Sequence, residues 1–92
     1  MIAPDALVKR ALDARVRRVG GTQMVARGQE VMELNEVAAI IWKLADGSRS
    51  VADISAAVVA EYEVSPEEAL TDVSDFVTDM VSAGFMTAQG PA

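Results

Sequence analysis

The chain of 92 residues contains no cysteine and no histidine, and its aromatics are one Trp, one Tyr and two Phe. Each absence excludes chemistry. Without cysteine there is no disulfide framework, thiol nucleophile, iron–sulfur cluster or zinc–thiolate site. Without histidine the commonest general acid–base group is missing. Basic residues are also missing from the second half. Lys9, Arg10, Arg15, Arg17, Arg18, Arg27, Lys43 and Arg49 all precede Ser50, whereas Asp53, Glu61, Glu63, Glu67, Glu68, Asp72, Asp75 and Asp79 follow it without one cation among them. The start, Met1-Ile2-Ala3-Pro4-Asp5, has neither the basic opening nor the apolar stretch of a secretory signal. The longest uncharged run, residues 80–92, is shorter than the roughly 18 apolar residues a membrane span needs. A cytoplasmic protein without a membrane partner is expected.

What is present is a core. Apolar residues make up 51% of the chain, far above a disordered composition, and the length fits one small domain. Residues 1–13 show no clean period and read as an arm with a helical turn at 5–12. Then Arg15-Val16-Arg17-Arg18-Val19, Gly20-Gly21 and Thr22-Gln23-Met24-Val25-Ala26 form a hairpin pattern, because a Gly pair takes positive φ at both turn positions. Arg27-Gly28-Gln29 makes a second tight turn into Glu30-Val31-Met32-Glu33-Leu34. Three short strands in a meander are predicted.

Helices follow. Asn35 caps the first, whose stripe is Val37, Ile40, Ile41 and Leu44, and Asp46-Gly47 is read as its end. Ser50-Val51-Ala52-Asp53 is a capping-box pattern, opening a helix that buries Val51, Ile54, Ala57, Val58 and Tyr62. Ser65-Pro66-Glu67-Glu68 starts the third, with Pro at its first position and acids facing the dipole. That helix carries Ala69, Leu70, Val73, Phe76, Val77, Met80 and Val81, and closes at Gly84. Its apolar arc is wider than one stripe needs. Leu70, Val77 and Val81 lie on one edge, Ala69, Phe76 and Met80 on the other, with Val73 between. The expected class is α+β, winged helix-turn-helix-like, a three-stranded antiparallel sheet followed by three helices.

No catalytic set emerges. Asp72, Asp75 and Asp79 recur along one helix face and read as solvated carboxylates rather than as a metal site or an acid catalyst. Gly20-Gly21 lacks the strand–loop–helix context of a phosphate loop. Trp42 sits in an apolar helix as core, and Met24, Met32 and Met80 read as gap fillers. Neither an enzyme nor a cofactor site is expected.

The segment from Leu34 to Ile54 resembles the PqqD family, the small winged-helix proteins also called RiPP recognition elements. The resemblance is carried by Leu34-Asn35, Ala38-Ala39, Ile41-Trp42, Asp46-Gly47, Ser50-Val51 and Ile54, and later by Tyr62, Glu67-Glu68, Asp72-Val73, Phe76 and Gly84-Phe85. It covers residues 14–86 as one peptide-binding domain, between the arm 1–13 and a tail 87–92. It implies a non-catalytic adaptor that binds the leader segment of a ribosomally made precursor peptide. The adaptor then presents that segment to a modifying enzyme, such as a radical SAM enzyme, a cyclodehydratase, or a leader protease with its cyclase. In the family the leader adds as an antiparallel strand beside the third strand, in a groove bounded by the third helix. The receiving strand would here be Glu30, Val31, Met32, Glu33 and Leu34, and the helix wall Val73, Phe76, Val77 and Met80 with Asp72 at the polar rim, Asp79 being a further rim position.

Two other readings share the fold. A winged-helix DNA-binding regulator would need Lys or Arg on its third helix to neutralise phosphates. This helix offers Glu67, Glu68, Asp72, Asp75 and Asp79 instead, so no nucleic-acid partner is expected. A subunit that docks on an enzyme without holding a peptide would use Arg15, Arg17 and Arg18.

Overall fold

A computed structural model describes residues 2–90. In chain order the elements are β1 (Leu7–Arg10), β2 (Arg15–Val19), β3 (Thr22–Arg27), β4 (Glu30–Leu34), α1 (Glu36–Leu44), β5 (Asp46–Ser50), α2 (Val51–Glu61), α3 (Pro66–Ser82) and β6 (Met86–Gln89). They build two antiparallel three-stranded sheets, ordered β2-β3-β4 and β5-β1-β6, around the helices.

The expected meander is the first of these sheets. Gly20 and Gly21 both have positive φ, 59° and 86°, as a type I′ turn requires, and Val19 pairs with Thr22 across it. Gly28, at φ 61°, takes the first central position of the next turn, which closes Arg27 on Glu30. The three helices start where their caps predict. The Ala38 N–H donates to Asn35 Oδ1 at 2.8 Å. Ser50 and Asp53 complete a reciprocal box, each backbone N–H donating to the other's side chain at 3.1 Å. Ser65 Oγ accepts from the Glu68 N–H at 3.1 Å, with Pro66 opening α3. The α3 end is a Schellman turn: Gly84, at φ 85°, donates to the Val81 carbonyl and Phe85 to that of Met80.

The second sheet departs from the sequence reading in three places. Residues 7–10 are not a helical turn of a free arm but the central strand β1, with Val8 wholly buried. The carbonyls of Pro4 and Ala6 accept from the Ala52 and Val51 N–H groups at 2.8 and 3.1 Å, satisfying first-turn amides of α2 that its own helix cannot. Asp46-Gly47 does not merely stop α1; it begins β5, which pairs with β1. The tail contributes β6, which pairs along the other side of β1 from Leu7↔Gln89 to Arg10↔Met86; positions 91 and 92 lie outside the described residues.

One core joins both sheets to the helices. From α1 it takes Ala38, Ile41 and Trp42, so the buried stripe is rotated from the predicted one and Val37, Ile40 and Leu44 flank it half-buried. From α2 it takes Val51, Ile54, Ser55 and Val58, from α3 Ala69, Val73, Val77 and Met80, and from the strands and turns Val8, Val25, Leu34, Phe85 and Met86. Arginines pin elements to one another. Arg10 Nη1 donates to the Trp42 and Lys43 carbonyls at 2.9 and 2.8 Å, meeting the negative end of α1. Arg27 Nε donates to Asp13 at 2.9 Å, and Nη1 of the same guanidinium lies 2.8 Å from where a Cβ on Gly84 would sit, beside the last turn of α3.

Candidate functional site

Strand β4 is an edge. It pairs with β3 alone, in the register Arg27↔Glu30, Ala26↔Val31, Val25↔Met32, Met24↔Glu33 and Gln23↔Leu34. A two-residue hairpin makes Arg27 and Glu30 a hydrogen-bonded pair, and such pairs alternate along an antiparallel ladder. Glu30, Met32 and Leu34 therefore spend their backbone groups on β3. Val31 and Glu33 turn their N–H and C=O outward, where no strand of the described residues meets them.

Side chains follow the same alternation. Met32 and Leu34 face inward with Val25, while Val31 and Glu33 lie exposed on the outer face, Val31 at 54%. Leu34 is buried in the core. Its side chain, predicted to receive a guest, is structural because its inward position packs it beneath the sheet.

On α3 the structure narrows the predicted wall. Val73, Val77 and Met80 have no exposed surface. They form the stripe that packs on the core, so their side chains cannot line a groove in this structure. The two flanks of that stripe differ. Leu70 lines a cavity of about 320 Å³ against Ala52, Ser55, Ala56 and Val59 of α2, and another of about 300 Å³ with Ile2 and Pro4. At 100° per residue Phe76 falls on the other flank, away from α2, with Asp72 and Asp79 beside it. Phe76 and Met32 are each half-buried against the one core, and both aspartates are exposed.

The electrostatics are lopsided. Among the described residues the ion pairs are Arg27–Asp13 and Arg49–Asp46, both on the first half of the chain. The hydrogen bond from Arg27 holds the Asp13 carboxyl below its ordinary 3.8, and the Ser48 hydroxyl, ahead of Arg49, does the same for Asp46. Both pairs are exposed and contribute little to stability. The α3 carboxylates have no ion-pair partner among the described residues. Those residues hold no group of three or more carboxylates placed to bind a metal, and no helix long and apolar enough to cross a membrane. Sequence reasoning missed the reach of Arg27 and Arg10, since an arginine at a strand end carries no local sign of the distant helix terminus it meets.

These features define a small winged-helix-type α+β domain with an open strand edge at β4 and three helices packed on its core. The profile of the family described as Coenzyme PQQ synthesis protein D (PqqD) matches residues 23–86, and the chain belongs to that family. Over 59 residues it is 36% identical to the PqqA binding protein of Bradyrhizobium diazoefficiens, a match covering 64% of this chain and 57% of that protein. The chain thus spans little more than half the length of this relative.

Solved structures share the fold. The PqqD truncation of Methylobacterium extorquens PqqCD, described as a functional and stand-alone RiPP recognition element, superposes with a TM-score of 0.80 at 15% identity, covering 95% of each chain. Lasso peptide synthetase B1 complexed with the leader peptide gives 0.76 at 24% identity, covering 88% of this chain and 98% of that one. TbiB1 in complex with the TbiA(beta) leader peptide gives 0.73 at 21%, covering 91% and 98%. At these identities the likeness is one of fold. It brings the predicted α+β class and the predicted family together.

Proposed function

We propose that this domain binds the leader segment of a ribosomally synthesised precursor peptide by strand addition to β4 and presents it to a modifying enzyme, itself performing no reaction. The observation that carries this reading is the open edge at Val31 and Glu33, whose outward backbone groups are a template for one more antiparallel strand. The relative described as a PqqA binding protein, and two structural neighbours described in complex with leader peptides, support it. The guest is held by backbone bonds to Val31 and Glu33. Selectivity comes from its alternate side chains, which meet Met32 and Phe76 on the inner side, with Asp72 at the rim and Glu30 at the hairpin end. The buried Leu34, Val73, Val77 and Met80 hold these groups in place from beneath. Ribosomal precursors are made in the cytoplasm, and the domain works there.

The DNA-reading alternative finds no support, because the exposed charges of α3 are all carboxylates and a duplex would be repelled. Calorimetric titration with leader peptides of ribosomal precursors tests the proposal. We expect saturable binding to at least one, weakened by about 1–3 kcal/mol in Phe76→Ala. A folded Phe76→Ala protein with undiminished affinity would move the site off this flank, and binding of duplex DNA in preference to every leader would overturn the reading.

A further inference from the structure

The sheet has a second open edge, and it is unlike the first. Every residue of β2 is exposed, and β2 pairs only with β3. Its closing pair across Gly20-Gly21 is Val19↔Thr22, so Val16 and Arg18 turn their backbone groups outward by the same alternation that exposes Val31 and Glu33. Three of the four exposed large apolar residues of the described chain gather here, Leu12 at 85%, Val16 at 44% and Val19 at 60%. They stand among cations. Arg15, Arg17 and Arg18 project from β2, Lys9 lies nearby on β1, and none has an ion-pair partner among the described residues.

Between the two sheets this surface opens into a cavity of about 390 Å³, lined by Lys9, Arg10, Leu12, Arg15, Val16 and Trp42. Asp46 also lines it, but its carboxylate is engaged by Ser48 and Arg49. A protein of net charge −6 has concentrated unpaired positive charge and uncovered apolar surface on one edge. That combination matches an interaction surface better than a solvated face, which has no need of a Leu left almost bare.

We propose that the β2 edge, with the cavity beneath Leu12, is a docking surface for a partner protein presenting an acidic strand with a large apolar side chain. Charge complementarity selects the occupant. Carboxylates of the partner meet Arg15 and Arg17 on one face of β2, its backbone pairs with Val16 and Arg18, and its apolar side chain, on the face of Val16, enters the cavity toward Trp42. A second copy of this chain does not serve, because joining this edge to the acidic β4 edge of another copy is head-to-tail, closes on nothing and would block the peptide site. The two edges lie on opposite sides of one sheet, so both can be filled together.

The test uses the full chain and a short synthetic peptide alternating glutamate with leucine, followed by backbone amide resonances. Saturable binding that shifts Leu12 and Arg15–Val19, weakens with added salt, and is at least roughly fivefold tighter than for the lysine–leucine counterpart is expected, two exposed pairs being at stake. Arg15→Glu and Arg17→Glu together change only exposed positions, so the protein stays folded, and they reverse that preference. Leu12→Ser weakens binding without altering its salt dependence. Absence of saturable binding, or shifts confined to β4, would overturn the proposal. Tighter binding of duplex DNA to the same residues would overturn it in favour of a nucleic-acid partner. None of these outcomes depends on whether a leader binds at β4, so the two readings fail separately.

Discussion

The two sheets have three strands each and opposite characters. In β5-β1-β6 the central strand is flanked on both sides by the chain itself, Val8 and Met86 are buried, and the connections run directly into helix ends. In β2-β3-β4 the central β3 is flanked in the same way, but β2 is exposed throughout and β4 buries little besides Leu34. One sheet gathers both ends of the described chain and closes the core. Each sheet has two edge strands, but those of β2-β3-β4 stand further out in solvent, β2 along its whole length, and so are the readier to pair with a guest. On the proposed reading the sheet built on β1 serves chiefly the core, and the sheet built on β3 serves the guest.

The sharpest way to break that comparison is to damage the sheet built on β1. Phe85 is fully buried where α3 turns into β6, and its carbonyl accepts from the Ala11 N–H at 2.8 Å. Phe85→Ala is expected to cost about 3–5 kcal/mol in urea unfolding, with ligand binding lost only through unfolding. A cost under about 1 kcal/mol would show that the sheet built on β1 is not what holds the domain.

Neighbouring positions on β4 separate fold from function next. Met32→Pro removes a donor that β3 uses, and is expected to lower stability by about 1–3 kcal/mol. Val31→Pro removes an outward donor, leaving stability close to that of the unaltered protein while weakening leader affinity by about 0.5–1.5 kcal/mol. Parallel melting curves and titrations distinguish them, and equal losses of stability would mean the register is not as described.

The smallest effect is the pH dependence. Asp13 and Asp46 have carboxyls held below 3.8 in the folded protein, so whatever stability they add is present above that value and lost as pH falls through and below it. With no histidine in the chain, no imidazole titrates near neutrality. The melting temperature should stay flat from about pH 8 to about pH 5 and decline in acid, less steeply in Asp13→Asn. A decline beginning near neutrality would contradict this.

Local physics explains which parts were legible in the sequence. The β2–β3–β4 meander announces itself through Gly20-Gly21 and Gly28, and the helix starts through Asn35, Ser50 and Ser65, because turns and caps are fixed by a few adjacent residues. The β5-β1-β6 sheet has no such signs. Leu7–Arg10 becomes a strand only because β5 and β6 come alongside from far along the chain, and Asp46–Ser50, without a single apolar side chain, looks like a turn until β1 pairs with it. At the candidate site the edge strand was legible and the depth of its wall was not. The apolar arc of α3 shows that two faces exist, but only packing reveals that Val73, Val77 and Met80 go inward and Phe76 stays at the border.

Amide hydrogen exchange along β4, with and without saturating leader peptide, tests strand addition most directly. The amides of Glu30, Met32 and Leu34 are bonded to β3 in the free protein, whereas those of Val31 and Glu33 face solvent. Binding is predicted to slow exchange at Val31 and Glu33 selectively. Saturation that leaves these two amides exchanging as fast as before would contradict the account.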